Sequence, residues 1–325
     1  MKSKIRIGIV GYGNLGRGVE QAISQNPDLE LVAIFTRRPP DQIEARGNLV
    51  SIADIDSYQD KIDVMILCGG SSRDLPRQGP LYAARFNTVD SFDLHSRIPA
   101  YFEEVDAAAR SAGKLSLISV GWDPGLFSLA RLMFQSILPE GKSYTFWGKG
   151  VSQGHSVAIR QIPGVRDAVQ YTVPVPATVE KIRQGQIPVL TPRQAHQRIC
   201  YVVAEPGADT GEIEETIKTM PGYFADYDTT VHFITGEEFA ASHTGMPHGG
   251  FVIRTGKTGG KHKQQTEFRL ALESNPQFTG SVLTACARAV YRMHKTGAIG
   301  ACTIFDLPLG YLSPKSPEDL RKELL

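Results

Sequence analysis

A glycine-rich segment close to the start of the chain has the spacing of a dinucleotide-binding loop. It fits the pattern G-x-G-x-x-G, and its residues are Gly11, Tyr12, Gly13, Asn14, Leu15 and Gly16. In such a loop the first glycine permits a tight turn, the second lets a pyrophosphate approach the backbone, and the third lets a helix pack closely on its strand. The helix N-terminus then offers N–H donors and partial positive charge to the phosphates. Because an apolar run precedes the segment and a helical pattern follows it, we predict a bound dinucleotide rather than a glycine turn without a ligand.

The residues roughly twenty positions further on indicate which dinucleotide is bound. A site for NAD usually places Asp or Glu there to bind the ribose 2′-hydroxyl, whereas this chain has Thr36, Arg37 and Arg38. Arginine binds phosphate bidentately and stacks on flat rings, so these residues suit the 2′-phosphate of NADP. The alternative is a solvated basic turn. We predict NADP as the cofactor.

A loop of small residues follows a later apolar run and contains Cys68, Gly69, Gly70 and Ser71. Ligands of an open parallel sheet lie beyond the carboxyl ends of its strands, so this loop is a candidate wall of the cofactor site. A purely structural turn fits the same spacing equally well.

Short apolar runs alternate with helical patterns through the first third of the chain. Strands are predicted at 5–10, 29–35, 63–68, 87–90 and 115–119. Helical patterns at 16–25 and 101–112 lie between them. Strands that alternate with helices favour a parallel sheet with crossover connections, so we predict an α/β fold with a Rossmann-type doubly wound sheet.

The pattern changes near residue 120, after which glycine and proline become frequent. Strands of a mixed or antiparallel sheet are predicted at 144–147, 201–204 and 229–234, and a helix at 280–295. We therefore predict a dinucleotide-binding domain over 1–119. A second, α+β domain with a mixed sheet follows over 120–279.

The composition argues against several classes of protein. With 35 Lys and Arg against 34 Asp and Glu, the chain has no strong positive field for nucleic acid or a membrane surface. No run approaches the ~18 apolar residues of a membrane span. The four cysteines are widely spaced and no secretory signal is visible, which favours free thiols in a cytoplasmic protein. No paired Cys/His cluster or H-E-x-x-H motif is present, so no metal site is expected.

Several colinear loops together resemble the meso-diaminopimelate D-dehydrogenases, which are NADP enzymes of bacterial lysine biosynthesis. The matching segments are 11–16, Gly-Trp-Asp-Pro-Gly at 121–125, Phe-Trp-Gly at 146–148, 150–156, 162–165, 170–172 and 244–250. The resemblance extends over about residues 5–315, and such loops do not recur together in general nicotinamide enzymes.

This resemblance implies reversible oxidative deamination at the D-centre of meso-2,6-diaminopimelate. A hydride passes to NADP, and the imine is hydrolysed to L-2-amino-6-oxopimelate and ammonia. The second domain is implied to bind substrate and to mediate dimerisation, and a C-terminal segment, about 280–325, is implied to pack back on the first domain. We expect meso-2,6-diaminopimelate, ammonia and a second copy of the chain in a homodimer as partners, with no nucleic acid and no membrane.

The resemblance also implies the site residues. Besides the three segments already described, the implied cofactor contacts are Ser91, Phe92, Asp93, Val120, Gly121, Trp122, Asp123 and Pro124. The implied substrate contacts are Asp93, Asp123, Trp147, Gln153, Gly154, Thr172, Arg198, His248 and Asn275.

The implied contacts make chemical sense for a substrate with a carboxylate and an amine at each end. Arg198 can clamp the carboxylate of the non-reacting L-centre, while Thr172 and His248 add hydrogen bonds. Asn275 can accept a hydrogen bond from the L-ammonium group and donate one to the carboxylate. Taken singly, an arginine of this kind is more often a surface charge, so the colinear match carries these assignments.

Asp93 and Asp123 are the candidate catalytic groups, because a carboxylate near the reacting amine can accept its proton. An ordered water is the alternative acceptor. Trp147 offers a rigid apolar wall to the methylene chain, although a lone tryptophan is more often part of a core.

Two other functions are compatible with the cofactor loop. One is a different two-domain NADP oxidoreductase, such as a dihydrodipicolinate reductase-like enzyme, which normally offers a lysine or a Lys/His pair at the reacting carbon. The other is a catalytically silent NADP-sensing module, which has no use for a polar substrate site.

Overall fold

Strands and helices alternate along the first part of the chain in the computed structural model, which describes residues 3–325. The strands are β1 (Ile5–Val10), β2 (Leu29–Thr36), β3 (Leu49–Ser51), β4 (Val64–Leu67), β5 (Thr88–Asp90), β6 (Leu115–Leu117), β7 (Gly141–Trp147), β8 (Gly150–Val151), β9 (Val165–Pro174), β10 (His196–Ala204), β11 (Asp228–Phe233), β12 (His248–Thr258), β13 (His262–Leu272) and β14 (Gly300–Cys302). The α-helices are α1 (Asn14–Ser24), α2 (Leu75–Ala83), α3 (Ile98–Ser111), α4 (Leu126–Ile137), α5 (Gln153–Arg160), α6 (Pro176–Arg183), α7 (Pro192–Ala195), α8 (Thr210–Thr219), α9 (Gly236–Ser242), α10 (Asn275–Lys295) and α11 (Pro317–Leu324).

The chain divides into two units. Unit 1 contains the residues up to Leu129 together with Pro276–Leu325, and unit 2 contains Ala130–Asn275. Unit 1 is thus built from two separate stretches of chain, with unit 2 inserted between them in the sequence.

Seven parallel strands form the sheet of unit 1, in the order β3-β2-β1-β4-β5-β6-β14. The order reverses direction between β1 and β4, as in a Rossmann-type doubly wound sheet. Strand β4 consists of four apolar residues, all with 0% exposure, which is typical of a parallel strand covered on both faces. The predicted α/β fold is confirmed.

Helices cover both faces of this sheet. Val19 of α1 and Leu283 of α10 belong to the core on one face, and Tyr82 of α2 and Val105 of α3 belong to the core on the other. Each large apolar side chain that is fully buried stabilises the fold by roughly 1.5–3 kcal/mol. The two cores therefore hold the carboxyl ends of β1, β2 and β4 rigidly at one edge of the sheet.

The C-terminal stretch of unit 1 is tied to its N-terminal stretch. Strand β14 pairs with β6, and Arg288 of α10 is only 1% exposed. The Arg288 guanidinium donates to both carboxylate oxygens of Asp28, at 2.6 and 2.8 Å, and to the Asn26 side chain and the Leu312 carbonyl, at 2.7 Å each. A single buried cation thus joins the α1–β2 connection to the end of the chain.

Unit 2 contains two further sheets. One is mixed, in the order β11-β10-β9-β8, with β10 parallel to β11 and antiparallel to β9. The other is antiparallel, in the order β13-β12-β7. The predicted strands at 144–147 and 201–204 lie in β7 and β10, and the one at 229–234 overlaps β11, which ends at Phe233. The mixed sheet of the second domain is therefore observed.

The β12–β13 hairpin was not predicted, because glycine at the start of β12 weakens its strand pattern. Gly249 and Gly250 have φ values of +143° and +151°. A Cβ atom on either would lie 2.3 or 2.1 Å from a backbone oxygen of a neighbouring strand. Close packing of three strands thus requires glycine where sequence propensity alone argues against a strand.

Three features of the described residues concern membrane spans, metal sites and the pairing of cysteines. No helix in the described part of the chain is long and apolar enough to cross a membrane. Within residues 3–325, no group of three His, Cys, Asp or Glu side chains could hold a metal ion. All four cysteines are free thiols, and three of them are buried.

Candidate active site

The glycine-rich loop lies between β1 and α1 in unit 1, with a geometry that only glycine allows at two positions. Gly11 has a φ of +92°, and its N–H donates to the Phe35 carbonyl at 2.9 Å. A Cβ atom on Gly16 would lie 2.3 Å from the Gly11 carbonyl oxygen. By contrast, a Cβ atom on Gly13 would meet nothing within 4 Å. The space over Gly13, at the N-terminus of α1, is therefore open to a ligand.

A cleft of about 280 Å³ lies against this loop. The predicted cofactor residues that line the cleft are Gly11, Tyr12, Gly13, Thr36, Arg37, Arg38, Cys68 and Gly69. Cys68 and Gly69, in the loop after β4, thus lie on the wall of this cleft. Burial raises the pKa of the Cys68 thiol. The thiol therefore stays protonated at neutral pH.

Thr36 ends β2, Arg37 and Arg38 follow it, and the three residues differ in their contacts. The Thr36 side chain is buried, and its Oγ1 accepts the Arg38 N–H at 3.1 Å. Arg38 Nη2 donates to the Tyr12 carbonyl at 2.5 Å, so Arg38 holds the glycine-rich loop. Arg37 is 71% exposed and pairs with Asp74 at 3.0 Å. Two guanidinium groups therefore border the cleft where an NAD site has a carboxylate.

Other predicted cofactor residues support the loop or lie outside the cleft wall. Leu15 packs on the core under α1, and the Ser71 hydroxyl accepts the Asp93 N–H at 3.1 Å. Asn14 begins α1 and Gly70 donates its N–H to Asp74 at 3.0 Å.

Asp90 holds the two loops that carry the candidate catalytic carboxylates. One Asp90 oxygen accepts the N–H groups of Phe92 and Ser119, at 3.0 Å each, and the other accepts the Tyr101 hydroxyl at 2.7 Å. Burial raises the pKa of Asp90, while these hydrogen bonds act in the opposite direction. Ser119 lies in the left-handed region with a φ of +55°, so the second loop turns sharply next to this anchor.

The predicted residues of these two loops differ in how exposed they are. Asp93 is exposed, Asp123 is half-buried, and Ser91 and Pro124 are partly exposed. The remaining predicted residues are buried and pack within unit 1: Phe92, Val120, Gly121 and Trp122. Phe92 stacks on Tyr101 at 4.2 Å and Trp122 packs edge-on against Phe127 at 5.2 Å. The side chains of Phe92 and Trp122 therefore serve the core of unit 1.

The predicted substrate residues of unit 2 include a buried cation. Arg198 on β10 and Thr172 on β9 are register partners, and the guanidinium donates to the Thr172 hydroxyl. The Arg198 guanidinium also lies over the Tyr227 ring at 3.9 Å. Arg198 is 7% exposed, and its Nε has no hydrogen-bond partner among the described residues. Burial lowers the pKa of Arg198, but arginine stays charged at any physiological pH.

Trp147 is positioned by a histidine. Its backbone N–H donates to His196 Nε2 at 3.0 Å, and the two rings stack at 5.5 Å. Burial and the nearby charge of Arg198 lower the pKa of His196 to about 4, and they lower that of His155 similarly. Both histidines are therefore neutral at pH 7, and Arg198 is the cation of this group.

The other predicted substrate residues in unit 2 are Gln153, Gly154, His248 and Asn275. Gln153 Nε2 lies 3.3 Å from the Met246 sulfur, and the Asn275 N–H donates to the Met246 carbonyl at 3.0 Å. His248 packs so closely against Gly150 that a Cβ atom there would lie 2.5 Å from its ring. Gly154 has open space around it.

Each unit contains residues near the predicted ones that the sequence did not indicate. These are Asp74, Gln78 and Asp90 in unit 1, and His196 and Tyr227 in unit 2. Within residues 3–325 the buried Gln78 Oε1 atom has no hydrogen-bond partner, and Gln78 lines the cleft beside the glycine-rich loop. Among these five residues only Asp90 has a position that the sequence could have pointed to, because it ends a short buried strand.

Comparisons with known proteins show which family this chain resembles. A family model for the diaminopimelic acid dehydrogenase C-terminal domain matches residues 121–274. The meso-diaminopimelate D-dehydrogenase of Ureibacillus thermosphaericus is 63% identical over 325 residues, which cover 99% of this chain and 100% of the relative.

Solved structures are similar over the same length. The Corynebacterium glutamicum DAP dehydrogenase in complex with DAP has a TM-score of 0.92 at 45% identity, with 99% of this chain and 100% of that chain covered. An engineered D-amino acid dehydrogenase bound to NADP⁺ has a TM-score of 0.87 at 44% identity, with the same coverage. The predicted family is confirmed: this chain is an oxidoreductase that belongs to the meso-diaminopimelate D-dehydrogenase family.

Proposed function

We propose that this chain catalyses the reversible, NADP-dependent oxidative deamination of meso-2,6-diaminopimelate at its D-centre, with L-2-amino-6-oxopimelate and ammonia as products. The observation that carries the proposal is Arg198, a buried guanidinium with an unpartnered Nε beside the Thr172 hydroxyl. A carboxylate would satisfy both its charge and its free donor. Because relatives at 63% and 46% identity are named for this dehydrogenase, the two alternative functions are not favoured.

The cofactor cleft of unit 1 fits a dinucleotide with a 2′-phosphate. The open space over Gly13 suits a pyrophosphate, and the partnerless Gln78 Oε1 suits an amine or hydroxyl donor of a nucleotide. Arg37 and Arg38 supply the charge for the extra phosphate. When bound, NADP supplies the acceptor for the hydride that leaves the D-carbon.

The proposed substrate roles follow from the contacts in unit 2. Arg198 binds the carboxylate of the L-centre, and Thr172 orients the guanidinium. His196 holds Trp147, which forms a wall for the methylene chain. His248 and Asn275 add hydrogen bonds to the L-end, and the loop at Gln153 and Gly154 bounds the substrate.

A carboxylate accepts the proton of the reacting ammonium group, so that a neutral amine is present when the hydride leaves. Asp93 and Asp123 are the proposed acceptors, and each lies on a loop anchored through Asp90. The homodimer stays a prediction.

The absorbance of reduced nicotinamide tests the proposal directly. Purified protein is mixed with meso-, LL- or DD-diaminopimelate, with NADP and NAD in parallel. We expect strong signal with the meso isomer and NADP, and little with the LL isomer or with NAD. Silence with every isomer, while NADPH still binds, would contradict the proposed substrate and leave only the cofactor assignment.

A further inference from the structure

A carboxylate lies at the same cleft as the two arginines. Asp74 precedes α2, and its Oδ1 pairs with Arg37 Nη2 at 3.0 Å. The other oxygen, Oδ2, accepts the Gly70 N–H at 3.0 Å, which fixes the carboxylate to the loop after β4. The Asp74 side chain is 21% exposed, whereas that of Arg37 is 71% exposed. The carboxylate is thus the anchored member of the pair.

The position of Asp74 matters because of the chemistry at this place in dinucleotide sites. An NAD site uses a carboxylate at the end of the second strand to bind the ribose 2′-hydroxyl. In this chain Arg37 and Arg38 directly follow β2, and the carboxylate of Asp74 comes from the start of α2. Both signs of charge therefore border one cleft.

We propose that Asp74 is a specificity-determining residue that competes with the cofactor 2′-phosphate for Arg37 and so weakens the preference for NADP over NAD. The inference rests on the proposed NADP function. A phosphate that binds Arg37 must displace Asp74 or share the guanidinium with it, since Asp74 already occupies an Nη2 donor. NAD has no 2′-phosphate, so its binding does not require this exchange.

Asparagine at this position separates charge from structure. In Asp74→Asn the amide oxygen can still accept the Gly70 N–H, but the negative charge is lost. Asp106→Asn is the matched control, because Asp106 also pairs with an arginine (Arg110, 2.7 Å) and also accepts a backbone N–H (Ala301, 2.7 Å). Asp106 contacts β14, at the opposite edge of the sheet from β3.

Dissociation constants for NADPH and NADH, from ligand fluorescence, test the proposal without any turnover. We expect Asp74→Asn to bind NADPH about threefold to tenfold more tightly, because an exposed pair competes only weakly. NADH should change less than twofold, and Asp106→Asn should change neither. The gain should shrink at about 0.5 M salt, where exposed charges are screened. Unchanged or weaker NADPH binding, or an equal change for NADH, would overturn the proposal.

Two further variants separate this inference from the NADP assignment itself. Arg37→Ala should weaken NADPH binding, and in that background Asp74→Asn should no longer tighten it. If Arg37→Ala leaves NADPH affinity unchanged, the proposed phosphate contact is wrong. If it weakens NADPH binding but Asp74→Asn has no effect in the wild-type background, only the role of Asp74 is wrong. Asp74→Ser, checked by thermal unfolding, provides a second neutral variant with the same expected direction.

Discussion

At the scale of single residues, Arg198 is the side chain whose surroundings demand a ligand. A buried guanidinium without a carboxylate costs free energy. The described neighbours that act on Arg198 are Thr172, Tyr227 and Cys200, and none of these is a carboxylate. The Thr172 hydroxyl and the Tyr227 ring offset part of that cost. The two neighbouring histidines remain neutral and add no repulsion at pH 7. A dicarboxylate substrate would complete this arrangement.

Replacement of Arg198 should therefore act on substrate and not on cofactor. We expect Arg198→Ala to raise the KM for diaminopimelate by roughly 30-fold or more, because a buried charge-assisted contact contributes 2 kcal/mol or more. The Kd for NADPH should change less than twofold. Steady-state kinetics and ligand fluorescence measure the two effects. Arg183→Ala is the control, since Arg183 forms an exposed ion pair with Glu267 in the same unit. Equal losses in both constants would count against the assignment.

Family resemblance predicts Arg198 and Thr172 as substrate contacts, and the register of β9 and β10 explains why they meet. The sequence did not indicate His196, Tyr227 or Asp74. Their roles depend on contacts between elements, such as the 3.0 Å bond from Trp147 to His196, which connects β7 with β10. No local spacing encodes such a contact, so it becomes visible only once the strands are placed.

At the scale of elements, the β1–α1 loop shows how one motif serves both fold and ligand. Its glycines have different tasks, because a Cβ atom is excluded at Gly16 and tolerated at Gly13. The motif, the strand before it and the helix after it were all predictable, since each has a local pattern. Strand β12 was not, because its glycines are required by neighbouring strands and weaken its own propensity.

Alanine at the two loop positions should separate stability from binding. We expect Gly16→Ala to lower the free energy of unfolding by roughly 1–3 kcal/mol, because its Cβ meets the Gly11 carbonyl at 2.3 Å. Gly13→Ala should leave stability nearly unchanged while it weakens NADPH binding at least about tenfold, because the methyl group occupies the space of the pyrophosphate. Chemical denaturation and NADPH titration measure the two. Normal NADPH affinity in a folded Gly13→Ala would show that no phosphate approaches this loop.

At the scale of the whole molecule, unit 1 includes a stretch of chain, Pro276–Leu325, that follows unit 2 in the sequence. The doubly wound sheet was predictable from alternating strand and helix patterns in the first third. The joint between the two stretches was not, because Arg288 and Asp28 are 260 residues apart. Long-range pairs of this kind carry no signal in local periodicity, although this one ties α10 to the α1–β2 connection.

The Arg288–Asp28 joint should be visible in stability and in its dependence on pH. Arg288→Ala leaves a buried cavity and unpartnered acceptors, and we expect a loss of roughly 2–4 kcal/mol in the free energy of unfolding. Arg110→Ala is the control: Arg110 forms an exposed pair with Asp106 on one helix, and its loss should cost less than about 1 kcal/mol. Denaturant titration measures both.

The same denaturant titration at low pH tests whether the charge of Asp28 contributes to this stability. Burial alone would raise the pKa of Asp28, but the hydrogen bond and charge of Arg288 outweigh burial and hold it below its usual value. A lowered carboxyl pKa stabilises the fold above the unfolded-chain pKa, near 4, and this contribution is lost as pH falls through the folded-state pKa. The difference between wild type and Arg288→Ala should therefore be constant from about pH 5 to 8 and shrink below about pH 4. A difference that stays the same at pH 3 would mean that Arg288 stabilises unit 1 through packing and its bonds to Asn26 and Leu312, and not through the charge of Asp28.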